Sequence, residues 1–249
     1  MAMLVRDVMT RDPVIVGPET TTVTLREVMR QRHIHHLPVA EDGRLIGVVD
    51  ATQVFGWAPR TATAADLAGR TVEAHPEEGL FEVLGRCAWS PRDVCVVTHP
   101  DENVILGILT DRDIIRLAAQ TIEPDRLVDE IASTSLVTAA PLATVGECLH
   151  RLREQMFRHL VVIDDSGCLQ GVASLRALLV TDARGPVAST LPTPAPQGPW
   201  TLTIRDAAAL MERLDIDALP IVNDEGAPEG LVTVTDLLRA LRSTAEVVA

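Results

Sequence analysis

A hydroxyl and a carboxylate three residues apart, Thr110 and Asp113, stand where the apolar run Gly107-Ile108-Leu109 gives way to a helical pattern starting at Asp111. With the threonine at a strand end and the acid in the first helical turn, both side chains face one point. The carboxylate accepts hydrogen bonds, and the hydroxyl donates or accepts them. That donor set suits two vicinal hydroxyls such as those of a ribose. The free N–H groups of a helix start add a seat for an anion. Alone, Thr-x-x-Asp at a helix start reads first as an N-cap. Its recurrence changes that reading.

Gly230-Leu231-Val232-Thr233-Val234-Thr235-Asp236 repeats the stretch with the same hydroxyl and acid, Thr233 and Asp236. Gly171-Val172-Ala173-Ser174-Leu175-Arg176-Ala177 keeps a hydroxyl at Ser174 but has Ala177 in place of the acid. Gly47-Val48-Val49-Asp50-Ala51-Thr52-Gln53 offers Asp50 and Gln53, which still bind hydroxyls but in another pattern. The leading glycines lie 60, 64 and 59 residues apart. A period of about sixty marks four copies of one supersecondary unit.

Each copy must supply a strand to carry the motif, and the pattern predicts helix, strand, helix, strand, strand, helix in every one. In the first, Val5–Met9 is a short helix and Val14–Val16 a strand, and Thr24-Leu25-Arg26-Glu27 has capping-box spacing. Strands at Leu37–Ala40 and Leu45–Val49 follow, joined by the turn Glu41-Asp42-Gly43, and a helix begins near Ala51. In the second, Gly79 takes the place of a capping threonine before the helix from Leu80, and Val94–Thr98 and Val104–Thr110 are strands. In the third, Thr144-Val145-Gly146-Glu147 is a capping box, and His159–Ile163 and Leu169–Ser174 are strands. In the fourth, Thr203 caps the helix from Ile204, and the Pro-rich stretch 191–199 is a loop. The repeats span about 4–57, 61–119, 126–181 and 186–242. The Pro-containing connector Thr121–Asp125 divides the chain into modules 1–120 and 121–249.

The chain has 249 residues, 47% of them hydrophobic, and a formal charge of −13 with arginine as its only basic residue besides histidine. Composition of this kind builds a packed core and makes a poor general nucleic-acid binder, because acidic surface repels phosphate backbones. No apolar run approaches a membrane span, and charges at Arg6, Asp7, Arg11 and Asp12 argue against a signal peptide. Cys87, Cys95, Cys148 and Cys168 form no Cys-x-x-Cys pair, so neither a zinc site nor a disulfide frame is expected. A cytoplasmic location follows from these readings. No nucleophile elbow, phosphate loop or metal triad is present, and the expectation is a protein that is not an enzyme.

Met9-Thr10 ahead of Asp12-Pro13-Val14, then His36-Leu37-Pro38-Val39, then a glycine-led Thr-x-x-Asp resembles the CBS domain, named after cystathionine β-synthase; Leu219-Pro220-Ile221-Val222 matches the strand signature again. The resemblance covers nearly the whole chain. It implies an α+β fold of four β-α-β-β-α repeats, paired about pseudo-twofold axes into two modules, with a cleft on each side of the joined sheets. It leaves open a flat disc formed within one chain or by homodimerisation. The family's clefts commonly take AMP, ADP or ATP, and more rarely S-adenosylmethionine or NAD, as regulatory ligands; no cofactor is required.

Carried over by position, the resemblance assigns ribose binding to Thr110, Asp113, Thr233 and Asp236, giving one competent site per pair. Phosphate binding falls to His35 and His36 in the first repeat, with His33 beside them, and to Arg158 and His159 in the third. Arg112 is a further phosphate candidate. The second repeat offers Arg92 beside Asp93, and the fourth only Asp217 and Ala218. A metal reading of the three histidines has no accompanying carboxylate or cysteine cluster. Trp57, Trp89 and Trp200 are weak candidates for adenine stacking, since packing is the commoner fate of tryptophan. The expected function is a regulatory module that senses adenine nucleotides and reports to an effector protein. The alternative is a ligand-free scaffold whose repeats mediate self-association.

Overall fold

The structure is a computed structural model that describes residues 3–87 and 94–248, with side chains described through residue 243. Trp89, Arg92 and Asp93 lie outside the described residues. The first repeat comprises α1 (Val5–Val8), β1 (Thr10–Arg11), α2 (Thr22–Arg32), β2 (His36–Glu41), β3 (Arg44–Asp50) and α3 (Ala51–Gly56). The second comprises α4 (Ala64–Leu67), β4 (Val72–Ala74), α5 (Leu80–Cys87), β5 (Cys95–Thr98), β6 (Ile105–Leu109) and α6 (Asp111–Thr121). In the third, a 3-10 turn at Val128–Glu130 replaces the expected lead helix, followed by β7 (Thr138–Ala139), α7 (Val145–Gln155), β8 (His159–Ile163), β9 (Leu169–Ser174) and α8 (Leu175–Leu179). The fourth has a 3-10 turn at Val187–Thr190, then β10 (Gly198–Pro199), α9 (Ile204–Leu214), β11 (Ala218–Val222), β12 (Pro228–Thr233) and α10 (Val234–Val248).

The caps account for most helix starts. Thr144 and Thr203 accept from the backbone N–H three residues on, as their spacing predicts. In α2 the cap is Thr21 rather than Thr24. The segment before it is fixed by Thr22, whose N and Oγ1 both donate to the Ala62 carbonyl at 2.9 and 2.8 Å, so the helix must begin a turn earlier. Gly79 provides no side-chain cap for α5, and the Leu80 N–H instead donates to the Met3 carbonyl at 2.9 Å.

The central hairpins are buried on both faces, which is why their strands read as unbroken apolar runs. Leu37, Val39 and Val49 pack with Leu25 and Met29 of α2, while Val48 on the opposite face packs with Val94, Val96, Ile105 and Ile108 of the second repeat. The third and fourth repeats do the same: Leu160 and Val162 join Cys148 and Leu152, whereas Val161 packs with Ala218 and Leu231. Each hairpin thus has one face for its own helices and one for the seam with its partner repeat.

The lead segments cross that seam. The expected strand Val14–Val16 contributes only a bridge from Val16 to Val39, and the strand that forms, β1, leaves its own repeat to pair antiparallel with β6. Its register sets Thr10 against Ile108 and Arg11 against Gly107. In return Gly69, between α4 and β4 of the second repeat, bridges to Val48 of β3. Ser133 crosses to Leu231 in the same way. The periodic glycines mark the crossings. A Cβ on Gly107 would meet Met9 Sδ at 2.7 Å and the Thr10 carbonyl at 3.0 Å. One on Gly47 would meet the Gly69 carbonyl at 2.8 Å. Repeats one and two, and three and four, are therefore paired modules built on exchanged lead segments. The chain packs as two compact units, Met1–Asp113 and Ile114–Ala249, so that the second takes most of α6 and the 121–125 connector with it. Within the second unit Ile122 is fully buried and its carbonyl accepts from Arg205 Nε at 2.8 Å.

Candidate functional site

Thr110 and Asp113 meet at the junction of β6 and α6. Asp113 Oδ2 accepts from the Thr110 N–H at 2.8 Å and from its hydroxyl at 3.0 Å. Asp113 Oδ1 accepts from the Thr10 hydroxyl at 2.8 Å, and the aspartate is 0% exposed. Thr10, itself exposed, is brought there by the β1–β6 ladder. The sequence showed Thr10 only as part of the opening motif, because its partner lies 103 positions along the chain.

The fourth repeat builds the same arrangement. Asp236 Oδ2 accepts from the Thr233 N–H at 2.9 Å and its hydroxyl at 2.6 Å, and the acid is 3% exposed. Here Oδ1 accepts from Arg239 at 2.9 Å. Arg239 was missed, although its i,i+3 spacing from Asp236 was a readable signal. Two other boxes in the chain separate capping from this arrangement. Thr63 donates to Asp66 at 2.8 and 3.0 Å, and Thr144 to Glu147 at 2.8 and 2.8 Å, with both acids exposed. Capping alone does not require a buried carboxylate. Burying one is costly unless it is fully bonded, and among the described residues the buried carboxylates are the two at the strand ends read as clamps and Asp50.

In the first repeat Asp50 stands at the threonine's position and caps α3, accepting from Thr52 N at 2.7 Å and from the Thr52 hydroxyl. Gln53 Oε1 accepts from the Asp50 N–H at 3.0 Å, and its amide donates to the Leu67 carbonyl at 3.0 Å. His36, opposite Asp50 in the ladder, places Nε2 3.0 Å from Asp50 Oδ2. Burial by itself would raise the Asp50 carboxyl, but the His36 ring and then Thr52 more than offset it and hold it at about 2. In the third repeat the Ser174 hydroxyl only accepts from the Ala177 N–H at 3.2 Å. His159 faces Ser174 in the ladder and sets Nε2 3.0 Å from Asp217 Oδ1, with Arg176 at 3.9 Å from the same carboxylate. Burial would push Asp217 up, yet the His159 ring, followed by Arg176, keeps it well below the ordinary carboxylate range.

His36 and His159, expected to face a phosphate, each place Nε2 3.0 Å from a carboxylate oxygen of the chain itself. The His36 ring lies against the buried Asp50 and the His159 ring against the half-buried Asp217, and each stands opposite a strand end that lacks the Thr-x-x-Asp pair. Ala218 occupies that ladder position opposite Thr233. His35 and Arg158 use their carbonyls to accept from Ala51 N at 2.8 Å and Leu175 N at 2.7 Å, fixing the hairpin to the closing helix. His33 is the left-handed C-cap of α2. Arg112 is exposed on α6. Trp57 is exposed, while Trp200 donates from Nε1 to Glu229 at 3.0 Å and lies against Gly230. Among the described residues no group of three or more His, Cys, Asp or Glu is disposed to hold a metal ion, and no helix is long and apolar enough to cross a membrane.

Comparison with known proteins bears on the same architecture. The protein is similar to the CBS domain-containing protein CBSCBSPB2 of Arabidopsis thaliana, 28% identical over 220 residues, 72% of this chain and 41% of that protein. The chain spans about two fifths of the length of the first curated relatives it matches. Its fold is that of protein MJ1225 from Methanocaldococcus jannaschii, with a TM-score of 0.82 at 16% identity, covering 96% of this chain and 100% of the other. An uncharacterized conserved protein from Pyrococcus horikoshii superposes with a TM-score of 0.70 at 22% identity, again over 96% and 100%. The CBS domain profile matches residues 5–59, 128–183 and 201–243, and the second repeat, between the first two of these segments, repeats their order of elements. The chain belongs to the CBS domain family.

Proposed function

We propose that this protein is a regulatory module that binds an adenosine-containing ligand, foremost AMP, ADP or ATP, at two sites. One is held by Thr110 and Asp113, the other by Thr233 and Asp236, and an effector protein reads the bound state. The observation that carries the proposal is the burial of Asp113 and Asp236 in boxes whose exposed counterparts at Asp66 and Glu147 cap helices equally well. A carboxylate kept at 0–3% exposure beside a threonine hydroxyl is a preorganised acceptor for a ribose diol. For a phosphate, Arg112, Arg158 and His35 are the foremost assigned contacts, since the His36 and His159 rings lie 3.0 Å from Asp50 and Asp217.

A thermal-shift panel with AMP, ATP and S-adenosylmethionine tests the class, because a ligand that binds only the native state raises the melting temperature. Losing a charge-assisted hydrogen bond to the ribose weakens binding roughly ten- to a hundredfold. Asp113→Ala and Asp236→Ala should each remove or weaken one site by that factor in calorimetric titration of AMP. Unchanged melting with every ligand would favour a scaffold with empty clefts.

A further inference from the structure

Three charged or titratable side chains meet on the seam of the second unit. His159 Nε2 lies 3.0 Å from Asp217 Oδ1, and Arg176 Nη1 lies 3.9 Å from Oδ2 of the same carboxylate. The ladders fix where this group stands. Ala218 is paired with Thr233, so Asp217 is the residue just past the rung that carries the clamp's hydroxyl. His159 is paired with Ser174, and Arg176 follows that serine in α8. Neighbouring residues lie about 3.3 Å apart along a strand and about 5 Å apart across a ladder. Asp217 therefore stands within about 10 Å of a ribose held at Asp236, a distance comparable to the Debye length at 0.1 M salt. We propose that Asp217 is a charge filter on the Asp236 site, which favours an adenosine ligand with an uncharged or cationic 5′ end over one with a 5′-phosphate. The inference deepens the proposed function and rests on the reading of Asp236 as a ribose-holding group.

A ribose gripped by its diol sends two groups outward, the base and the 5′ substituent. An adenine gains most from apolar walls, so the 5′ end is the group that turns toward the charged seam. A phosphate arriving there meets cations that already face a carboxylate. Burial alone would raise the Asp217 carboxyl, but the His159 ring and then Arg176 keep it ionised. A second anion must share His159 and Arg176 with Asp217 and is repelled by it. The Asp217 side chain is 29% exposed and that of His159 12%, so salt screens these charges less than it screens surface ones. An uncharged 5′ hydroxyl escapes the repulsion, and a sulfonium is attracted. Arg239 donates to Asp236 Oδ1 at 2.9 Å, but at 70% side-chain exposure its charge is largely screened by water.

The test is calorimetric titration of adenosine, AMP and S-adenosylmethionine into the full chain carrying Asp113→Ala, which isolates the Asp236 site. AMP should bind no more tightly than adenosine, and S-adenosylmethionine at least as tightly. Adding Asp217→Asn should raise the ratio of AMP to adenosine affinity by roughly tenfold. Asp217→Ser, a second variant without the charge, should do the same, and Asp217→Glu should keep the parent ratio. Both affinities are read in one protein, so a loss of stability in a variant leaves the ratio interpretable. A ratio unchanged by Asn and Ser, or a parent that binds AMP more than about tenfold tighter than adenosine, overturns the filter and leaves the ribose site standing. Binding that persists when Asp236→Ala is added to Asp113→Ala, or no binding of any of the three ligands by the Asp113→Ala protein, overturns the ribose reading and the filter with it.

Discussion

Asp50, buried with its Oδ2 3.0 Å from His36 Nε2, has an acid dependence that follows from its depressed carboxyl. The Asp50 carboxyl lies at about 2 in the folded chain against an ordinary value of 3.8. A depressed carboxyl stabilises the fold in full above its unfolded value and loses that contribution as pH falls through the folded one. The window is therefore about pH 4 down to 2, and the shift corresponds to at most about 2.5 kcal/mol. His36→Ala removes the partner. Urea midpoints should be lower than wild type at pH 5 and nearly equal to it at pH 2, and midpoints that differ equally at both would refute the assignment. Much at this scale was visible in advance. Thr110, Asp113, Thr233 and Asp236 meet as their spacing required. The pairing of His159 with Asp217 was hidden because it joins two repeats at the seam, where neighbours in space are not neighbours in sequence.

Elements were legible wherever the signal was local. The capping threonines Thr144 and Thr203, the Asp42-Gly43 turn and the hairpin strands all sit where the pattern puts them. The destination of β1 was not, since a two-residue strand pairing with β6 leaves no periodic trace in its own segment. The glycine period was read as a marker of repetition, and the structure supplies a cause: Gly47 and Gly107 each lie inside a strand where the partner repeat's lead segment crosses close by. Gly107→Ala should accordingly destabilise the protein by about 1–3 kcal/mol, because the Thr10 carbonyl and Met9 lie where its Cβ would go. Gly43→Ala at the open hairpin tip provides a control that strains only its positive φ of 79°. Chemical denaturation of the two variants checks this, and equal losses would remove the crossing as the reason for the glycine.

For the molecule as a whole, the charge of −13 carries a prediction that does not depend on any ligand. Generic duplex DNA should show no useful affinity at physiological salt, and binding with a steep salt dependence would contradict it. The exchanged lead segments also bear on how such a chain is made. Thr10 and Asp113 are separated by 103 positions, so on a ribosome β1 has no strand to join until that much further chain has emerged. The first repeat cannot be completed by its own residues, nor the second by those made after it. The unit that folds during synthesis is the pair, because residues ahead of the first repeat's hairpin complete the sheet of the second.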